Sequence, residues 1–342
     1  MEHRLFFLDF TRAIAILLII LFHYTAWLQK IVTGGEGRFV AFDLAGAIGV
    51  SLFVILSGAS LQTSTQRNFS VREFYRKRIV AIFPLFYVCY LTVLLVSAVL
   101  YGKVPFAGGQ PAAFVLTIVG LDGFLAYAGK NYYLIGEWFL GFIIILYAVY
   151  PVIRYFFVKN KELTLIGAAL LSSATYLTYD FSMAVFRFPP IRIFEFVLGM
   201  FLLAHARFLL DMGWRRQLVV GAALAVLLFV LVRYWGGSLP VRYIGLGIVS
   251  FLLLAISSRA MTHPFVVDFF QFVSRYSYGA FLLHHVFLIK FIAANKENLT
   301  SGRAALLYFL VALVCIFAAA WGLTRLTQRL LGHKAGGARR EA

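Results

Sequence analysis

Arg12 and His23 stand eleven residues apart in an apolar run, Phe10 to Trp27. At 3.6 residues per turn this step returns to nearly the same helix face, about 16 Å further along. An imidazole titrates near neutrality, so it is well suited to take a proton from a hydroxyl and hand it to a leaving group. Asp9, three residues before Arg12, can pair with it on that face. Ionisable groups inside an apolar segment are costly and are read as functional by default. The structural alternative has Arg12 snorkelling to the surface and His23 bonding a neighbouring carbonyl.

Other groups invite the same question. Ser57 closes a run of small residues, Gly46, Gly49, Ser51 and Gly58, that permits close helix approach, and no G-x-S-x-G elbow supports it as a nucleophile. Arg72, Arg76, Lys77 and Arg78 form a basic run, readable as a topogenic or headgroup patch or as a seat for a phosphorylated cofactor. Glu137 opens a later apolar segment. Arg192 and Glu195 are three apart and read as a structural ion pair. His284, followed by His285, is expected about three turns into its helix, at a depth comparable to His23, so that both can line one polar cavity. No H-E-x-x-H and no Cys/His cluster accompanies the histidines, so a metal site is not expected.

The elements that carry these groups are membrane helices. Of 342 residues, 62% are hydrophobic and 13% charged, with a mean hydropathy of +0.88. A soluble domain holds about 25% charged and about 45–50% apolar residues, so a water-soluble enzyme and a nucleic-acid binder are excluded. The net charge of +17 is dispersed between apolar runs and is read as topology. Apolar stretches near the 20 residues needed to cross a bilayer lie at 10–30, 42–64, 79–101, 137–157, 163–180, 191–208, 217–235, 241–258, 276–295 and 304–327. The run 112–127 is interrupted by Gly120, Asp122 and Gly123. With ten spans and a cytoplasmic N-terminus, 20 of the 31 Lys and Arg lie inside. If 112–127 also crossed, the split would be 15 against 16. The positive-inside rule therefore favours an all-α polytopic protein of about ten transmembrane helices, with both termini cytoplasmic and 102–136 outside.

One membrane domain is expected over 1–332, with a short polar tail at 333–342. Cys89 and Cys315 both fall in apolar stretches, which leaves no disulfide framework. The first apolar run contains Arg12 and His23 and lacks a small-x-small cleavage site, so it is expected to stay as the first span.

Taken together, these segments resemble the acyltransferase-3 family of bacterial integral-membrane O-acyltransferases over nearly the whole chain. Leu8-Asp9-Phe10-Thr11-Arg12 through His23 is similar to the family's Arg, ten residues, His motif. Gly49 to Gly58 resembles its second-helix signature, and Phe74-Tyr75-Arg76-Lys77-Arg78 with Ile82-Phe83-Pro84 its basic loop. Glu195 to Gly199, and Ser277-Tyr278-Gly279 through His284, resemble later signatures. The chain departs from the family's Arg-x-x-Arg before Ile-x-Pro, having Ala81 at the second position. The fused extracytoplasmic domain of some members is not expected in it.

The resemblance implies transfer of an acyl group, most often acetyl from acetyl-CoA, to a hydroxyl of a surface carbohydrate or a lipid-linked glycan, at the bacterial cytoplasmic (inner) membrane. Acyl-CoA would be a co-substrate and no cofactor would be tightly bound. Coenzyme A is polyanionic, so Arg12, Arg76, Lys77 and Arg78 are expected to hold its phosphates. His23 is expected to be the catalytic base, with Arg12 on the same helix face as the second catalytic residue, and an acyl-histidine intermediate stays open as a second route. A transporter or flippase for a glycan or lipid is the rival class, and it should show inverted repeats or paired broken helices. A partner role in envelope polysaccharide assembly is a third reading.

Overall fold

The computed structural model describes residues 2–34, 42–65, 69–102, 109–180, 183–205, 212–234 and 239–332. The expected polar tail at 333–342 lies outside the described residues. Among them there is no strand, and the helices are α1 (Glu2–Val32), α2 (Asp43–Ser64), α3 (Val71–Tyr101), the short α4 (Phe114–Ile118), α5 (Trp138–Lys159), α6 (Lys161–Leu177), α7 (Pro189–Ala204), α8 (Trp214–Tyr234), α9 (Leu239–Ser257), α10 (Pro264–Asn295) and α11 (Gly302–Leu330). Eight of these are long and apolar enough to cross a membrane. The all-α membrane class is therefore as expected. α6 and α7, with 17 and 16 residues, rise only about 24–26 Å against a hydrocarbon thickness of about 30 Å.

Two of the boundaries that differ from the sequence reading do so for one physical reason. A basic or polar stretch can continue a helix into the interface as easily as it can form a loop. α3 starts at Val71, not 79, because Ser70 caps it by accepting the Glu73 N–H, so Arg72 to Arg78 are helical rather than a loop. α10 starts at Pro264, not 276, which puts His284 twenty residues into its helix, about 30 Å from its start rather than three turns. The run 112–127 holds one 3-10 turn and the five residues of α4, far too few to cross.

The described chain forms two compact units, each assembled from separate pieces of sequence. The first comprises the described residues within 2–19, 43–65 and 149–275. Its core gathers Phe7, Leu8, Ala15, Leu52, Ile55, Leu56, Ala59, Phe251 and Ala255. Here α2 and α7 cross closely. A methyl group on Gly58 would run into the Phe196 carbonyl, and one on Gly199 into the Ile55 carbonyl. Small residues let the two backbones meet. The Thr65 and Tyr150 hydroxyls share a 2.5 Å hydrogen bond at the end of α2, where Arg154 donates to the Thr65 carbonyl at 2.9 Å.

The second unit comprises the described residues within 20–42, 69–148 and 276–332. Much of it serves to pin the segment that leads into α5. Tyr90 donates to the Tyr132 carbonyl at 2.7 Å and Tyr132 to the Gly109 carbonyl at 3.0 Å. Asn131 donates to the Asp122 carbonyl at 2.8 Å and accepts from the Tyr133 N–H at 3.0 Å. Gly136, with φ of 70°, occupies the left-handed region that glycine enters without strain. From there its N–H donates to the Leu282 carbonyl of α10 at 2.9 Å, and its carbonyl accepts from Tyr133 at 2.7 Å.

Candidate active site

That turn delivers Glu137, the residue immediately before α5, to the histidines. Its Oε1 lies 3.7 Å from Nε2 of His23 on α1 and 3.5 Å from Nε2 of His285 on α10. The three side chains are 12–20% exposed, sheltered but within reach of solvent or substrate. The His23 ring centroid is 5.1 Å from that of His284 and 5.3 Å from that of His285. Trp27, one turn beyond His23, closes one side at 5.4 Å from His285. His284 is wholly buried, with Nδ1 2.8 Å from the Phe281 carbonyl, which makes that nitrogen the donor, and its Nε2 has no hydrogen-bond partner among the described residues.

In the second unit His23 thus lies beside both Glu137 and His284, although His284 is twenty residues into its helix rather than the three turns expected. Sequence reading missed His285. Adjacent helix residues point about 100° apart, and the buried position in the family-like signature fell to His284, while its neighbour faces the carboxylate. The doublet itself was the signal.

Arg12 sits in the first unit, half-buried, within a polar set drawn from three helices. It donates to Asp9 at 3.4 Å, Ser274 at 3.3 Å and Ser60 at 3.2 Å, while Ser274 donates to Asp9 at 2.7 Å. Arg192 and Glu195 form a buried ion pair whose guanidinium also donates to Ser51 at 2.9 Å, and Ser51 donates to the Tyr243 carbonyl at 3.1 Å. Every one of these groups is matched within the core, the arrangement of a structural pair. Ser57 donates to the Phe53 carbonyl one turn back at 2.7 Å, the ordinary bond of a helical serine.

The basic run divides. Arg76 holds Glu73 through two 2.7 Å bonds on the exposed face of α3, and Lys77 lies 3.9 Å from the same carboxylate. Arg78 lies instead against aromatic rings, 5.9 Å from Phe74 and 6.0 Å from Tyr147. Lys77 and Arg76 therefore carry less net charge toward a phosphate than their number suggests, and the helical geometry is the reason: i to i+3 and i+4 neighbours of Glu73 face it.

Membrane-length helices, two of which carry imidazoles that converge on a carboxylate, define a multi-pass membrane protein. Over residues 5–325 the chain matches the acyltransferase domain of the acyltransferase-3 family, and it belongs to that family. It is a membrane acyltransferase. No curated protein and no solved structure matches it.

Proposed function

We propose that this acyltransferase moves an acyl group, acetyl in the first instance, from cytoplasmic acyl-CoA to a hydroxyl of a cell-surface or lipid-linked carbohydrate, in the bacterial inner membrane and with ten spans. The observation that carries the reading is the Glu137 carboxylate 3.7 Å from the His23 imidazole. In the reaction His23 takes the proton of the acceptor hydroxyl as its oxygen attacks the thioester carbonyl. The carbon–sulfur bond then breaks, and the imidazolium returns the proton to the leaving thiolate. Glu137 balances the positive charge that His23 holds between these steps, an interaction strengthened by partial exclusion of water. Arg12 and Arg78 are the proposed contacts for the phosphates of coenzyme A, which Arg binds with charge-assisted bonds.

Purified protein in proteoliposomes, given radiolabelled acetyl-CoA and an envelope glycan fraction, should move label to the glycan. His23→Gln, which preserves size and hydrogen bonding but cannot act as a base near neutral pH, should not. An intact thioester with wild-type protein, or equal transfer by His23→Gln, overturns the reading.

A further inference from the structure

We infer that His23, Glu137 and His285 form a binding site for a zinc-class divalent metal ion, and that its occupation switches acyl transfer off. Three observations carry the site. First, Nε2 of His23 and Nε2 of His285 approach the same oxygen, Oε1 of Glu137, at 3.7 and 3.5 Å. These separations exceed an N–H···O hydrogen bond, about 2.7–3.2 Å. They are close to the edge of a tetrahedral zinc site, about 3.4 Å when Zn–N and Zn–O are about 2.0–2.2 Å.

Second, the three donor atoms all lie within 4.8 Å of one another. A point in their plane is then no more than about 2.4 Å from each, so moving each donor by a few tenths of an ångström completes a zinc shell. Third, the donor set suits the ion. Two imidazoles and one carboxylate give three protein ligands and leave a fourth position for water, a recurring zinc arrangement. Local sequence spacing cannot show this set, because its members come from α1, from the turn before α5 and from α10.

The switch rests on the reading of His23 as the base. A neutral imidazole has one lone pair and one N–H. Zinc on Nε2 uses the lone pair and leaves the proton on Nδ1, so the ring has nothing with which to accept a hydroxyl proton.

The test uses the full chain in detergent, stripped with a chelator and then titrated with Zn2+ alone. One equivalent should bind to the wild type. Binding should weaken at least tenfold in Glu137→Gln and in His285→Gln, each checked for an unchanged elution volume and melting temperature without metal. Co2+ in the wild type should give the intense visible absorption of four-coordinate nitrogen and oxygen ligation, which keeps the site testable where a variant fails to fold. No stoichiometric binding, binding unchanged in both variants, or only the weak spectrum of six-coordinate Co2+ overturns the site. None of these readouts requires donor or acceptor, so they stand apart from the acyl-transfer reading. Zinc at saturating occupancy should then block transfer by the wild type. Full transfer by the zinc-loaded protein overturns the switch.

Discussion

Oε1 of Glu137 lies 3.7 Å from Nε2 of His23, although one residue ends a loop and the other sits deep inside the first helix. Glu137 acts through His23, so Glu137→Gln should lower kcat by about tenfold or more with little change in KM, while His23→Gln should lose the whole general-base contribution, about 10²- to 10⁴-fold. Glu137→Asp should recover part of the loss, which a purely packing role would not do. Single-turnover and steady-state transfer assays separate these outcomes. Near-native turnover in His23→Gln together with its loss in His284→Gln would move the base to α10.

Arg12→Ala and Arg78→Ala should raise KM for the thioester donor more than they lower protein abundance. Each lost bond to a charged group is worth about 1.5–3 kcal/mol, or about ten- to a hundredfold. Arg12→Lys should rescue poorly if the contact is bidentate. Full activity of the double alanine variant would remove both residues from the donor site.

Glu195→Gln should destabilise the first unit. It leaves the Arg192 charge buried with Ser51 and the Phe186 carbonyl as its partners among the described residues, and breaking one side of a buried pair costs about 3–5 kcal/mol. The expected result is a lower melting temperature in detergent with transfer per folded molecule unchanged. The reverse result would make the pair catalytic.

Asp122 supplies a pH test in the segment between α4 and α5. Burial pushes its carboxyl above the usual aspartate range, against the opposing pull of the Gly123 N–H bond at 2.8 Å. The folded state therefore binds this proton more tightly than the unfolded chain does. Stability from this group is greatest below the ordinary aspartate value, and it falls as pH rises through the folded value. Asp122→Asn keeps the acceptor for Gly123 and removes the charge, so it should raise the melting temperature at pH 7, with the gain vanishing in acid. Thermal melts across pH decide it.

Single cysteines should report the topology. Position 70 should resist an impermeant thiol reagent applied from outside, and position 129, in the proposed outer segment, should react. Labelling of position 70 from outside would end the ten-span arrangement.

Apolar run length and the sparse distribution of charge determined the class of this protein, because the hydrocarbon of a bilayer demands long apolar helices whatever the tertiary arrangement. The Arg12 to His23 spacing and the Gly49 to Gly58 run were legible for the same reason, since α-helical periodicity is local. The extension of α3 through Arg76 and Lys77 was not legible. Ser70 and Glu73 settle it, and capping competes with a loop reading that charge density alone favours. The partners of His23 were decided only by the tertiary structure. Gly136 had to take a left-handed turn and bond the Leu282 carbonyl before Glu137 could approach α10. Which of His284 and His285 meets that carboxylate depends on the rotation of α10 about its own axis. Helix packing fixes that rotation, and no spacing within the chain records it.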